Sequence, residues 1–363
     1  MLFCSLNELL TRADTLDVRR EKAPEGLRME GMKFVRMLCC LLVMLCLVLP
    51  AGANPYAASL VEPADKSVVI GKWLPVVIAL DDDADRVVVT RNKKEIADLS
   101  APKGRKYLCT TIAVDFGSNE IGVEVKKGER TIETKKATVF YRSDISKGNE
   151  KAPAGFQPAP FHSEAKEQVC RPCHDMEADR SDARPGRPEL SSCYRCHSRI
   201  TSYGYVHGPS AVWTCFACHD RHSTPFKYAT PQPDRVICFT CHSDSKAAWA
   251  AKEYVHGPTA TGKCTICHDP HASDSPFFLK KAPWNLCVSC HEDRGKEPHV
   301  LNLYALLKIA HPTKGVKDPS RPGKMLSCAS CHNPHASNSS EFLAFDVEKG
   351  NVIYDFCNKC HKK

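Results

Sequence analysis

The stretch Val255-His256-Gly257-Pro258-Thr259-Ala260-Thr261-Gly262-Lys263-Cys264-Thr265-Ile266-Cys267-His268-Asp269-Pro270-His271-Ala272-Ser273 packs three histidines and a Cys-x-x-Cys-His pentad into nineteen residues. Its pattern recurs along the chain. His207, Cys215, His222 and Cys238 reappear as His256, Cys264, His271 and Cys287, each shifted by 49 residues, and Val206-His207-Gly208-Pro209 matches Val255-His256-Gly257-Pro258. A later copy runs His311, Cys328, His335, Cys357 with insertions, and Cys331-His332-Asn333-Pro334-His335-Ala336-Ser337 echoes residues 267–273. An earlier copy is His162, Cys170 and Cys193, with the same 8-residue step from histidine to pentad and the same 23-residue step between pentads. Self-similarity at a fixed period predicts a repeat architecture, here four copies of two pentads.

The eight pentads use Cys170, Cys173, Cys193, Cys196, Cys215, Cys218, Cys238, Cys241, Cys264, Cys267, Cys287, Cys290, Cys328, Cys331, Cys357 and Cys360. In each, two thiols at this spacing can form thioethers to the vinyl groups of a haem, and the adjacent histidine can bind its iron. A single Cys-x-x-Cys would equally suit zinc or thiol redox chemistry. Neither demands a histidine at an invariant fifth place, so the series points to eight covalent haems c. The proximal ligands are then His174, His197, His219, His242, His268, His291, His332 and His361.

All 16 histidines of the chain lie from residue 162 onward, which leaves His162, His207, His222, His256, His271, His299, His311 and His335 as spares. Their number equals that of the irons and most recur with the repeat, so they are expected as distal ligands. Repeats two to four place a histidine three residues after the first proximal ligand (His222, His271, His335), whereas repeat one has Glu177 there. A histidine so close to its own pentad suits a neighbouring iron better. His299 has no repeat-equivalent place, and the expectation is that it completes the iron that repeat one leaves short.

Residues 162–361 resemble the doubled-CXXCH family of multihaem cytochromes. The resemblance implies electron transfer across the envelope of metal-, sulfur- or nitrogen-respiring bacteria, in the periplasm or across the outer membrane. It also implies partners among redox proteins, outer-membrane porin–cytochrome components or extracellular acceptors. A reductase of a small nitrogen or sulfur oxyanion is the rival, but no pentad departs from His and no iron is obviously open; no catalytic residue is assigned. A subunit of an extracellular cytochrome filament is a third reading.

Upstream, residues 54–142 alternate in short strands with turn residues between them. Strands are expected over residues 74–80, 86–90, 107–116, 120–126 and 131–141. Together they predict an all-β sandwich. Residues 85–93 and 116–121 resemble bacterial immunoglobulin-like modules, which implies a docking or spacing role. On the strand bearing Cys109, Leu108, Ile112 and Val114 share the opposite face, so this thiol is expected to point away from the core. Residues 143–161, with Gly148, Pro153, Gly155, Pro158 and Pro160, read as a linker. The fold expected is therefore an immunoglobulin-like sandwich followed by a haem-packed domain, residues 162–363, of short helices and loops.

Ahead of the sandwich, Lys33 and Arg36, the apolar run from Met37 to Leu49 and Ala51-Gly52-Ala53 read as a cleaved export signal over residues 32–53. Residues 1–31 read as a mis-called upstream extension. Cys4, Cys39, Cys40 and Cys46 fall outside the mature chain on this reading. The formal charge of +8 does not imply an acidic partner, because eight haems add roughly sixteen propionate charges. Lys and Arg are spread rather than clustered, which excludes nucleic-acid binding.

Overall fold

A computed structural model describes residues 58–80, 84–179, 187–296, 311–345 and 352–361. The expected signal segment, the upstream extension and His299 lie outside the described residues.

The N-terminal half is a two-sheet β-sandwich. One sheet has three antiparallel strands in the order β1 (Ala58–Glu62), β3 (Trp73–Leu80), β6 (Tyr107–Ala113). The other contains β2 (Ser67–Val69), β4 (Arg86–Arg91), β5 (Lys94–Ser100), β7 (Gly117–Lys127), β8 (Arg130–Tyr141) and β9 (Gln157–Pro158), in the order β5-β4-β7-β8-β2-β9. Period-2 alternation builds the core between them: Leu74, Val76 and Ile78 of β3 meet Val87 and Val89 of β4 and Ile121, Val123 and Val125 of β7. Arg91 ties the layers at one end, donating from Nη1 to the Ala113 carbonyl at 2.6 Å and pairing with Asp115 at 3.1 Å.

The strands expected from alternation all form. Three others, β1, β2 and β5, lacked a readable pattern. β5 is Lys-Glu-Ile-Ala-Asp-Leu-Ser, a charged edge strand. It exists because Asn92 and Lys93 both adopt positive φ (51° and 68°), the backbone of a two-residue hairpin turn that returns it onto β4. Asn119 fixes the turn into β7. Fully buried, it accepts from the Asp115 N–H at 3.0 Å and donates to the carbonyls of Asp115 at 2.7 Å and Gly117 at 2.9 Å. Within residues 143–161, Gln157–Pro158 adds to the large sheet as a parallel partner of β2.

The small sheet is buried on both faces at β3. Val77 is 5% exposed although it points opposite to Val76 and Ile78. It shares this outer face with its cross-strand partner Cys109. Thr111, one pleat further on, donates to the Cys196 carbonyl at 3.5 Å, and Trp73 packs on Tyr203 with ring centres 6.5 Å apart. Cys109 is exposed from the sandwich core as expected, and Cys170, Cys173 and Cys196 are its charged-state neighbours. Burial pushes its thiol up, so it is a poor nucleophile.

The C-terminal half consists of short helices, 3-10 turns and two-residue strands. Among the described residues beyond 145, six apolar side chains are buried (Ala178, Trp213, Ala272, Leu286, Leu326 and Ala336), too few for a side-chain core. The helix α1 (Glu164–Cys170) leads into the first pentad, and Lys166 on it pairs with Glu62 of the sandwich. Two-residue pairs link the repeats: β10 (Tyr205–Val206) with β12 (Ala272–Ser273), and β11 (Tyr254–Val255) with β13 (Ala336–Ser337).

A fragment spanning residues 58–158, which contains all nine strands, should give a β-type circular dichroism spectrum without any cofactor; a coil spectrum would reject an autonomous sandwich. In that fragment Asn119→Ala should lower the unfolding free energy by about 1–3 kcal/mol, because buried backbone groups lose their partner. Denaturant titration with an unchanged m-value is the check.

Candidate haem-iron sites

Each pentad closes as one helical turn. The histidine N–H donates to the carbonyl of the first cysteine in all eight, at 2.8–3.1 Å, from His174 on Cys170 to His361 on Cys357. Residues three and four apart share a helical face, so both thiols and the imidazole are presented together. This is the donor set a c-type haem requires: two thioether sulfurs and one axial nitrogen.

The spare histidines come to the other side. Ring centres of His162 and His197 are 6.1 Å apart, His207 and His242 6.2 Å, and His219 and His271 6.0 Å. His256 and His291 stand 6.1 Å apart, His268 and His335 6.0 Å, and His311 and His361 6.1 Å. A metal–imidazole bond of about 2.0–2.1 Å, plus about 1 Å from ring nitrogen to ring centre, puts two imidazoles on opposite sides of one ion about 6 Å apart. All six distances fall between 6.0 and 6.2 Å. The spacing therefore fits an iron between each pair. Interplanar angles run from 5° for His219 and His271 to 74° for His311 and His361.

The pairs follow a rule. The second pentad of each repeat takes the histidine that opens its own repeat: His197 with His162, His242 with His207, His291 with His256, His361 with His311. The first pentad of repeats two and three takes the histidine three residues past the first proximal ligand of the next repeat: His219 with His271, His268 with His335. Both rings thus stand opposite a proximal histidine of the preceding repeat rather than their own. Among the described residues no second imidazole faces His174. His222 is exposed, and its Nε2 accepts from Arg221 Nε at 3.1 Å.

Backbone carbonyls orient the rings. Nδ1 of His207, His219, His268, His311 and His332 lies 2.7–2.9 Å from the carbonyls of Pro270, Tyr228, Phe277, Pro312 and Glu341 respectively. A ring that donates from Nδ1 keeps its Nε2 lone pair for metal. Three acceptors stand nine residues beyond their proximal histidine, and Tyr228 and Phe277 reach theirs with φ of 60°. Aromatic rings at or beside these places abut the distal histidines of the preceding repeat: Tyr228 on His162, Phe278 on His207, Phe342 on His256. Burial, with His162 as the next cause, holds His197 down to about 4, and burial with His268 does the same for His335. Burial also lowers His162, His219 and His256. Neutral rings are what a metal binds.

Consecutive pentads adjoin through their cysteines. Between repeats, the first thiols are within hydrogen-bonding reach: Cys193 with Cys215, Cys238 with Cys264, Cys287 with Cys328. Inside a repeat, the thiols in electrostatic reach are Cys170 with Cys196, Cys218 with Cys241, Cys267 with Cys290, and Cys331 with Cys360.

A family model described as "Doubled CXXCH motif" matches residues 207–247, 256–296 and 320–363. The paired motifs indicate a multihaem c-type cytochrome. Such motifs carry covalently bound haem c and serve electron transfer. Repeat one precedes the matched segments of this cytochrome. No curated protein matches the chain. Solved structures similar to part of it include the fibronectin(III)-like modules of Clostridium thermocellum CbhA, at 15% identity over 23% of this chain and 94% of that one, TM-score 0.20. Another is the FMN-binding beta-glucuronidase from Facaelibacterium prausnitzii L2-6, at 18% identity over 24% of this chain and 11% of that one, TM-score 0.18. Among the described residues of the cytochrome, no helix is long and apolar enough to cross a membrane.

His271→Ala should turn one low-spin ferric haem high-spin in electron paramagnetic resonance. In a chain whose Cys215 and Cys218 are both replaced by Ser, so that this pentad holds no haem, the same substitution should add no high-spin signal. An added signal would assign His271 to another iron.

Proposed function

We propose that the protein carries eight haems c, each iron between two histidines, in a single unbranched file that conducts electrons in the periplasm or across the outer membrane. The observation that carries this reading is the common 6.0–6.2 Å spacing of six imidazole pairs. Six-coordinate irons change little on reduction and bind no substrate, which favours a carrier over a reductase. The thiol contacts link each pentad to the next, so the file runs in sequence order from Cys170 to Cys357. The scarcity of buried apolar side chains supports macrocycles as the interior of this region.

The ligand register extends to the two remaining irons. It gives His222 to the iron of His174, since His271 and His335 reach back by the same step. His222 exchanges its Arg221 hydrogen bond for the iron. His299, first expected at repeat one, then falls to the iron of His332. Redox proteins, outer-membrane porin–cytochrome components and extracellular acceptors are the partners this role calls for. The sandwich, in this reading an immunoglobulin-like module, spaces or docks the file.

Intact mass should exceed the mature polypeptide by eight haem masses, with only low-spin ferric signals. His222→Ala and His299→Ala should each convert one haem to high spin. A stoichiometric high-spin signal in the parent would favour the reductase, and an unaltered spectrum in either variant would remove that residue from the ligand set.

A further inference from the structure

One distal histidine is held unlike the others. His162 Nδ1 faces not a carbonyl but the Glu167 carboxylate, at 2.9 Å to Oε1. Glu167 is fully buried, and its second oxygen Oε2 accepts from Lys227 Nζ at 2.7 Å, with Arg171 Nη2 at 3.7 Å. Lys227 is itself fixed by the Met176 carbonyl at 3.0 Å and Glu177 at 3.2 Å. Two other histidines have a carboxylate in reach: Glu341, fully exposed, interacts with His332, and a second lies near the ring nitrogen of His271. That is Asp269, at 3.4 Å and 38% exposed, so water screens it.

The arrangement is not a property of the repeat. The position five residues after the opening histidine is Glu167 in repeat one but Val212, Thr261 and Val316 in the other three. A lone buried carboxylate costs several kcal/mol, which its cation partners must offset. Its two oxygens are divided, one for the Lys227 ammonium and one for the imidazole. At a distance, carboxylate and ammonium nearly cancel. The group that feels a full carboxylate acceptor is the ring it touches.

We propose that Glu167 is a positioning residue that lowers the reduction potential of the iron between His162 and His197, setting the second haem of the file apart from the rest. A carboxylate accepting from Nδ1–H makes Nε2 a stronger donor than a carbonyl does. Stronger axial donation stabilises ferric over ferrous iron. The inference rests on His162 being the distal ligand of that iron.

The test uses the full, haem-loaded chain. Glu167→Gln keeps the size and one acceptor oxygen but removes the charge. Spectroelectrochemical titration should then show one haem shifted upward, its reduced-to-oxidised ratio at fixed potential raised about tenfold, or about 59 mV for one electron. The same variant should widen the g spread of one low-spin signal, and Glu167→Asp should return both readouts toward the parent. Unmoved midpoints in a fully loaded Glu167→Gln protein would overturn the proposal, as would equal shifts in the Gln and Asp variants. If the glutamine variant loses haem, the parent decides: one low-spin signal should have a narrower g spread than the others, and its absence would overturn the proposal. His162→Ala tests the underlying ligand assignment separately. If it yields no high-spin haem, that assignment fails. If it yields one while Glu167→Gln is silent, only the tuning fails.

Discussion

The C-terminal half of the chain hangs on one backbone hydrogen bond, made twice. The N–H of His207 donates to the carbonyl of His271 at 2.9 Å, and the N–H of His256 to that of His335 at 2.9 Å. In each bond the two histidines belong to adjacent repeats and face different pentads. His207 faces His242 while His271 faces His219, so two facing histidine pairs of adjacent repeats are joined through the main chain. Site geometry and site-to-site geometry are thereby one constraint. In repeats two and three the first proximal histidine is faced by a histidine of the repeat that follows. Neighbours contribute what an isolated unit lacks, as in other repeat architectures, but here the shared item is an imidazole rather than an apolar face.

Such a scheme explains why so little regular structure suffices. Helices of four to eight residues and strands of two would not persist in water by themselves. Each is pinned at both ends: by the pentad turn on one side and by the imidazole–carbonyl bond on the other. The positive φ of Tyr228 and Phe277 is a local backbone cost of about 1–3 kcal/mol, accepted because it turns the carbonyl onto a proximal ring. The sandwich obeys the opposite economy. It builds an ordinary core of valines, isoleucines and leucines, then spends the outer face of its small sheet on the first two pentads.

Much of this was legible before any coordinates. Invariant pentad spacing and the 49-residue shift announce the repeat, and period-2 alternation announces five strands. What escaped reading had no local signal. β5 is made by the turn at Asn92–Lys93 and by pairing with β4, not by its own residues. The carbonyl acceptors are invisible because every residue has a carbonyl; only the aromatic residues nine or ten places past His219, His268 and His332 hinted at them. Histidine count predicted two ligands per iron, yet the crossed register of His271 and His335 needs the β10–β12 and β11–β13 pairs to be seen. Glu167 carries no signal in the sequence, since burial and a lysine sixty residues away give it its character.

A file of near-copies has no direction of its own. Repeats two and three share histidine and pentad spacing, and repeats two to four share the carbonyl acceptor beyond the first proximal histidine and the aromatic packing, so neighbouring sites there are closely similar. Asymmetry must come from where the pattern breaks, and it breaks at repeat one. That repeat has Glu177 in place of a ligand histidine, places a buried carboxylate against His162, and lies beneath Val77, Cys109 and Thr111 of the sandwich. Protein cover and a charged acceptor would act on the same haem in opposite senses, because desolvation disfavours a cationic ferric iron whereas a stronger axial donor favours it. Docking and electrostatics thus converge on one end of the file. At the opposite end, the His311 ring is held by the Pro312 carbonyl. The two ends of an otherwise uniform conductor are made unlike by the sequence of a single repeat.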